Sequence, residues 1–211
     1  FPDDTPPEAP KDVGPPPSFL APFEAQVQGL PRPPEGVTLT LDLVRAQLDV
    51  LIEERVNLIA AGLGIFPWVI EKAHAAGIKV ASLVGSVRAA RKVESLGVDL
   101  IVAQGHEAGG HTGRTTTLVL VPQVVDAVRI PVVAAGGIAD GRGVAAALAL
   151  GAQGVLIGTR FLATPEARTA DSHKRRIVEM DGDETVVTRC YTGKPSRVIR
   201  NAFTDAWQAH E

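Results

Sequence analysis

Residues 100–114 read Leu-Ile-Val-Ala-Gln-Gly-His-Glu-Ala-Gly-Gly-His-Thr-Gly-Arg, an apolar run that ends in a glycine-rich polar stretch. A short continuous apolar run bounded by turn residues is typical of a buried parallel strand, so residues 100–103 are predicted to form one. The glycines after it allow tight bends and close approach of the backbone to a ligand. Because α/β enzymes carry polar site residues at the carboxyl ends of parallel strands, residues 104–114 are the candidate active-site loop.

Length and composition are those of an ordinary globular protein. The chain has 211 residues, 45% of them hydrophobic and 21% charged, which is enough for one sizeable core. A net charge of −3 gives no electrostatic reason to expect nucleic acid or an anionic membrane as a partner. Neither a run of about 18 apolar residues nor a signal-peptide pattern is present, so a cytoplasmic protein is expected. Cys190 is the single cysteine, which excludes an intrachain disulfide, and no metal site is predicted.

The first 38 residues differ from the rest in their proline content. They hold 11 of the 16 prolines, a density that regular elements do not survive. Residues 1–38 are therefore predicted to be a Pro-rich excursion or linker, and residues 39–211 a folded domain. The apolar residues of this head are expected to pack as one short turn against the body; they are Phe19, Leu20, Phe23 and Val27. A chain that opens on Phe1-Pro2 is expected to be one cut in mid-fold.

From residue 40 onward helices and strands alternate. The predicted strands are residues 56–60, 79–84, 100–103, 132–135 and 155–158. Helices are predicted before and between them, with N-caps at Thr40 or Asp42, Ser86 and Asp140, and with Pro122 opening the helix before the fourth strand. Glycines end three of the helices just before a strand, at Gly77, Gly97 and Gly151. Five β/α units of roughly 20 to 30 residues indicate a parallel sheet covered by helices.

Two architectures fit five such units. A closed barrel of eight units needs about 250 residues, whereas an open doubly wound sheet can stop at five or six, so the count favours the open sheet. The Pro-rich head favours a barrel whose first three units are absent. Two loops also favour the barrel: residues 136–140, Gly-Gly-Ile-Ala-Asp, and residues 158–161, Gly-Thr-Arg-Phe. Each offers backbone N–H groups and a helix start to an anion, and paired loops after the last two strands are a recurrent phosphate site in barrels.

Three of these stretches together resemble a known family. Residues 103–114, 134–141 and 151–161 are similar to the FMN-dependent nitronate monooxygenases, formerly called 2-nitropropane dioxygenases. The tail, residues 191–204, is similar to that family's closing helix. The related FMN-dependent enoyl-ACP reductases share the Glu-Ala-Gly-Gly-His block and the threonines at residues 115–117.

The resemblance implies an α/β fold, a (β/α)8 TIM barrel of which the chain contains the last five strand/helix units, with FMN at its carboxyl face. His111 matches the family's catalytic histidine. The residues that match the family's flavin-facing loop are Gln104, Ala108, Gly109 and Gly110. Those that match the FMN phosphate loops are Gly136, Gly137, Gly158 and Thr159.

The activity implied is oxidation of alkyl nitronates by dioxygen to a carbonyl compound and nitrite, with nitroalkanes as further candidate substrates. Deprotonating a nitroalkane carbon needs a base that titrates near neutral pH, as histidine does. One alternative is an FMN-dependent enoyl-ACP reductase using NAD(P)H, and another is a non-catalytic barrel fragment. The Gly-Lys-Pro-Ser-Arg motif at 193–197 favours the first. Five strands cut from a barrel have two open edges, so the chain by itself is expected to aggregate, to assemble through those edges, a homo-oligomer included, or to stay partly molten, and to bind FMN weakly at best.

Several polar and aromatic residues are predicted to have structural rather than catalytic roles. Glu107 is predicted to hydrogen-bond backbone within the turn rather than to act as a base, and His106 to be a polar loop residue. Trp68 and Trp207 lie in helical patterns and are predicted to be packing anchors.

Overall fold

A computed structural model describes residues 18–23 and 40–210, so most of the predicted Pro-rich segment lies outside the described residues. The strands within these ranges are β1 (Leu58–Ala61), β2 (Lys79–Val84), β3 (Leu100–Gln104), β4 (Gly110–His111), β5 (Val132–Ala135), β6 (Gly154–Leu156), β7 (Thr185–Thr188) and β8 (Ser196–Ile199). The helices are α1 (Leu41–Glu53), α2 (Pro67–Ala75), α3 (Val87–Ser95), α4 (Thr117–Ala127), α5 (Gly141–Ala149), α6 (Thr159–Leu162), α7 (Asp171–Glu179) and α8 (Ala202–Gln208).

Five of the strands form one parallel sheet in the order β1-β2-β3-β5-β6. Each pair is parallel, and the central register places Ala103 opposite Ala134. The five predicted strands are confirmed, with ends displaced by one or two residues at β1, β3 and β6. All five carboxyl ends lie along one edge of the sheet, where the loops that follow them can meet.

One face of the sheet packs against the helices. Ile101 and Ala134 of the sheet are fully buried in a single core with Ala73 of α2 and Val121 of α4. Side chains along a strand point alternately to the two faces of the sheet, so every second residue of β3 and β5 meets the helix layer. The burial of this face fixes which residues of β3 point the other way, and Gln104 is one of them.

The predicted N-caps are confirmed at three helices. The hydroxyl groups of Thr40 and Ser86 accept hydrogen bonds from Leu43 N and Ala89 N, at 3.1 and 3.2 Å. Asp140 accepts from the first turn of α5, and hydrogen bonding to the Arg142 guanidinium and to these backbone N–H groups lowers the pKa of Asp140 to about 2.

The prediction that Pro122 opens a helix is wrong. Helix α4 begins at Thr117, and Pro122 lies inside it. Proline favours the first turn because it lacks an N–H, and that preference suggested the later start. The actual start is fixed from outside the helix, since the Glu107 carboxylate accepts a hydrogen bond from Thr117 N at 2.8 Å.

The end of the chain also departs from the prediction. Residues 191–204 were expected to be a closing helix, but Ser196–Ile199 form strand β8, and helix α8 begins only at Ala202. β8 is the central strand of a small antiparallel sheet, with β7 on one side and β4 of the candidate active-site loop on the other. Its Val198-Ile199 pair has the β-branched character that strands favour.

Aromatic contacts attach the head segment to the end of the chain. The Phe19 ring stacks on His210 with centroids 4.1 Å apart, and Phe23 meets Phe203 edge to face at 5.3 Å. The prediction that these phenylalanines pack as a short turn against the body is confirmed, while Val27 lies outside the described residues. Trp207 takes part in this cluster, 6.1 Å from Phe19, as a packing residue.

A charged cluster joins the amino ends of β2 and β3. Asp99 accepts hydrogen bonds from Lys79 Nζ at 2.7 Å and Val80 N at 2.9 Å, and its carboxylate lies 2.8 Å from His74 Nε2. Partial burial opposes ionisation of Asp99, but these hydrogen bonds outweigh it and lower its pKa to about 2. The cluster lies at the opposite end of the sheet from the candidate site.

Candidate active site

The loop after β3 is folded on itself by short hydrogen bonds. His106 N donates to Thr115 O at 2.8 Å, and the Thr112 hydroxyl donates to Gly105 O at 3.0 Å. The His106 ring nitrogen Nδ1 lies 2.7 Å from Gly113 O, which agrees with its predicted role as a polar loop residue. Gln104, the last residue of β3, donates from Nε2 to the carbonyl of His111 at 2.6 Å and so ties the far side of the loop to the strand.

Thr117 is the point at which the β3 loop, the start of α4 and the β5 loop meet. Its hydroxyl lies 2.9 Å from both Glu107 Oε2 and the carbonyl of Gly136. Glu107 therefore serves the turn, as predicted. A Cβ on Gly105 would lie 2.1 Å from the Thr117 hydroxyl, and one on Gly136 would lie 2.9 Å from it, so the close approach requires glycine at both positions.

The β6 loop joins the same cluster through Gly109. A Cβ on Gly109 would lie 2.7 Å from Thr159 Oγ1, and one on Gly137 would lie 3.1 Å from Glu107 Cβ. The glycine-rich loop after β3 thus contacts both predicted phosphate loops directly. Gly137 has a φ of +71°, in the left-handed region that glycine adopts at little cost.

His111 lies in β4 and is positioned by the small antiparallel sheet. It is paired with Ser196 of β8, and Thr112 N donates to Pro195 O at 3.2 Å. The side chain of His111 reaches Thr192, with its Nε2 2.9 Å from the threonine hydroxyl. The imidazole is half-buried, so it is both held in place and open to a reactant.

A cleft of about 960 Å³ opens at the carboxyl ends of β1, β2 and β3. The predicted site residues on its wall are Gln104, Gly109 and His111, and two lysine side chains, Lys92 and Lys194, also line it. The volume is at the upper end of the range typical of small-molecule sites. Half-buried imidazole, cationic groups and an apolar floor suit an anionic organic substrate.

The other predicted cofactor residues lie around this cleft rather than on its wall. Ala108 is buried, and its N–H donates to Gly105 O at 3.1 Å. Space is open where a Cβ would lie on Gly110 and Gly158, with nothing within 4 Å of either position. A bound group can therefore approach the backbone closely at these two glycines, which is compatible with a flavin phosphate and its neighbouring atoms.

Sequence reasoning missed three residues at the site. Thr192 contacts His111 from the turn between β7 and β8, and Arg197 donates from Nε to the carbonyl of His106 at 3.3 Å. Leu63, on the cleft wall, has a φ of +61°, an uncommon conformation for a bulky residue. The motif at 193–197 pointed to this region, but a pairing between a two-residue strand and the tail leaves no periodicity that a sequence can show.

A family model for nitronate monooxygenase matches residues 24–211. The chain belongs to the nitronate monooxygenase family. The proposed family resemblance is thus confirmed. No helix in the described ranges is long and apolar enough to cross a membrane. The same ranges contain no cluster of three or more histidine, cysteine, aspartate or glutamate side chains able to hold a metal ion.

Curated relatives of this nitronate monooxygenase family member carry several names. A Mycobacterium tuberculosis protein with a provisional monooxygenase name is 52% identical over 162 residues, which are 76% of this chain and 43% of the relative. A 5-hydroxy-7a-methyl-1-oxo-octahydro-1H-indene-4-carboxyl-CoA dehydrogenase from Rhodococcus jostii is 46% identical over 175 residues, or 82% of this chain and 50% of the relative. The chain spans about half the length of the curated relatives it matches.

Solved structures confirm the predicted fold class, an α/β fold that corresponds to part of a TIM barrel. The nitroalkane oxidase of Streptomyces ansochromogenes superposes with a TM-score of 0.80 at 36% identity, covering 89% of this chain and 57% of that one. FabK from Thermotoga maritima gives 0.76 at 44% identity, covering 82% and 56%. Both are TIM-barrel enzymes, and the five-stranded sheet corresponds to part of their barrels.

Proposed function

We propose that the protein catalyses FMN-dependent oxidation of alkyl nitronates by dioxygen, giving a carbonyl compound and nitrite, and that nitroalkanes serve as further substrates. The observation that carries this proposal is the placement of His111. Its imidazole lies on the wall of the cleft beside Gln104 and Gly109, at the carboxyl ends of the strands. Membership of the nitronate monooxygenase family and similarity to a nitroalkane oxidase support the same activity.

FMN is the proposed cofactor, held at the cluster of three loops. Gly136 and Gly137 after β5, with Gly158 and Thr159 after β6, would present backbone N–H groups to its single phosphate. Gln104, Ala108, Gly109 and Gly110 would lie along the flavin. Bound FMN would supply the redox chemistry, taking two electrons from the substrate and passing them to dioxygen. The open space at Gly110 and Gly158 supports this assignment, because it admits a ligand against bare backbone.

His111 would act as the base toward nitroalkanes. A neutral nitroalkane must lose a C–H proton before it can be oxidised, and an imidazole nitrogen on the cleft wall can accept that proton. A preformed nitronate has already lost that proton, so its oxidation would not need His111 as a base. Lys194 and Lys92 on the cleft wall would favour the anionic form by their charge.

A second candidate is reduction of an enoyl-ACP thioester with NAD(P)H as the electron donor. The similarity to FabK fits this alternative, and the threonines at 115–117 resemble those of such reductases. The relative named as a carboxyl-CoA dehydrogenase also agrees with a thioester substrate. The Gly-Lys-Pro-Ser-Arg motif favours nitronate oxidation, and a non-catalytic barrel fragment is the third alternative.

Anaerobic reduction separates these candidates. The purified enzyme is expected to be yellow and to bleach when propyl nitronate is added without oxygen, with the colour returning in air. Bleaching by NADPH with no response to propyl nitronate would support the reductase instead. A colourless protein that takes up no flavin would support the non-catalytic alternative.

A further inference from the structure

The imidazole of His111 has one ring nitrogen engaged. Nε2 lies 2.9 Å from Thr192 Oγ1, at the turn between β7 and β8. A histidine can act as a base only through a nitrogen that carries a lone pair, and the partner of one ring nitrogen decides which nitrogen that is. The contact to Thr192 therefore bears directly on how His111 could accept a proton.

The turn that carries Thr192 is closed by its own hydrogen bonds. Gly193 N donates to Arg189 O at 2.8 Å, and Arg189 Nη1 donates back to Gly193 O at 3.0 Å. Gly193 has a φ of +70°, which a side chain would disfavour. Thr192 is held at a defined place although its side chain is exposed.

His111 and Thr192 are also fixed relative to each other. The strand that follows the turn, β8, pairs with β4, and Ser196 faces His111 in that register. Gln104 Nε2 also donates a hydrogen bond to the His111 carbonyl at 2.6 Å. The distance between the His111 imidazole and the Thr192 hydroxyl is thus set by the β4–β8 pairing, by the turn that carries Thr192 and by the hydrogen bond from Gln104.

The threonine hydroxyl has one proton, and the Lys194 carbonyl, 3.4 Å away, can only accept. Lys194 N also donates to this hydroxyl at 3.4 Å. When the hydroxyl proton is directed to the carbonyl, Oγ1 is left as an acceptor, and Nε2–H of His111 donates to it. The lone pair of the neutral imidazole then lies on Nδ1.

We propose that Thr192 is a positioning residue that fixes His111 as the Nε2–H tautomer and leaves Nδ1 as the nitrogen that receives the substrate proton. This inference rests on the proposed function, in which His111 is the base. After proton transfer both ring nitrogens carry protons, and Oγ1 still accepts from Nε2–H. Thr192 therefore retains its hydrogen bond in both protonation states of the ring.

Long-range proton–nitrogen NMR of the enzyme labelled with ¹⁵N-histidine tests this without any turnover. The chain has five histidines, and His111→Ala assigns the signal of interest. The neutral ring of His111 is expected to show protonated Nε2 and unprotonated Nδ1. Thr192→Val keeps the side-chain shape and removes the hydroxyl, so the ratio of the two tautomers should fall roughly three- to tenfold, the worth of one neutral hydrogen bond. Thr192→Ser should restore it.

Activity provides a separate readout. Thr192→Val is expected to slow nitroalkane oxidation by at most about tenfold, because the fraction of rings with Nε2–H cannot fall by more than the tautomer ratio, with recovery in Thr192→Ser, and to slow preformed nitronate oxidation less. An Nδ1–H tautomer in the unaltered enzyme, or a tautomer ratio unchanged in Thr192→Val, would overturn the inference. The expected spectra in an enzyme with no nitroalkane activity would instead overturn the proposed function and leave the placement of Thr192 intact.

Discussion

Gly105→Ala perturbs the point where the β3 loop meets helix α4. A Cβ at this position would lie 2.1 Å from Thr117 Oγ1 and 2.4 Å from Thr117 N, whereas ordinary contacts lie at 3.4–4 Å. The nearest atoms include backbone, so a side-chain rotation cannot relieve the overlap. Either the loop or the start of α4 must move by about 1 Å.

That movement has two costs. The Glu107 carboxylate would lose its hydrogen bonds from Thr117 N, now 2.8 and 3.1 Å long, and a charge-assisted bond is typically worth about 1.5 to 3 kcal/mol. Overpacking of a well-packed site adds about 1 to 3 kcal/mol. We expect the free energy of unfolding to fall by about 3 kcal/mol or more, measured by urea denaturation of the enzyme.

Gly141→Ala is the matched control. Gly141 opens α5, has nothing within 4 Å of an added Cβ, and has no left-handed φ. The same chemical change there should not lower the free energy of unfolding, since alanine suits a helix better than glycine. A loss below about 1 kcal/mol for Gly105→Ala, or equal losses in the two variants, would refute the convergence of the loops at Thr117.

Three further outcomes are expected. Because the pKa of Asp99 is lowered to about 2, ionised Asp99 stabilises the fold above its unfolded pKa near 3.9, and this contribution is lost as pH falls from about 4 to about 2. Asp99→Asn should lower the free energy of unfolding by about 1 to 2 kcal/mol at pH 7, after allowing for solvent screening. It should also make the denaturation midpoint depend less on pH between about 4 and 2, and an unaltered pH dependence would contradict this. Denaturing the yellow enzyme should release FMN, identified by chromatography, and release of FAD would exclude the single-phosphate assignment. The 211-residue chain expressed by itself should self-associate through the open edges of β1 and β6. A chain that sediments as a monomer and melts cooperatively on heating would show that those edges are protected.

The sequence predicted the parts of the fold that repeat. Five parallel strands, the caps at Thr40, Ser86 and Asp140, and the glycine-rich loop after β3 all have local signals: apolar runs, hydroxyl or carboxyl caps, and clustered glycines. These signals come from residues close together in the chain. They also placed Gln104, Gly109 and His111 at the carboxyl edge of the sheet, where the cleft lies.

What the sequence could not predict depends on residues far apart in the chain. The start of α4 is set by Glu107, ten residues before it, which outweighed the usual preference of Pro122 for a first turn. Strand β4 exists only because β8 lies beside it, more than eighty residues later. The contact between His111 and Thr192 follows from that pairing, so no local pattern marks it.

The proposed role of His111 as the base is tested by comparing two substrates in the His111→Ala enzyme. Oxidation of a neutral nitroalkane should slow by about 10² to 10⁴, the usual effect of removing a general base, while oxidation of the preformed nitronate should change little. Both rates are measured as oxygen consumption by the FMN-loaded enzyme. An equal loss with both substrates would rule out this role and show that His111 orients the flavin or the substrate rather than removing a proton.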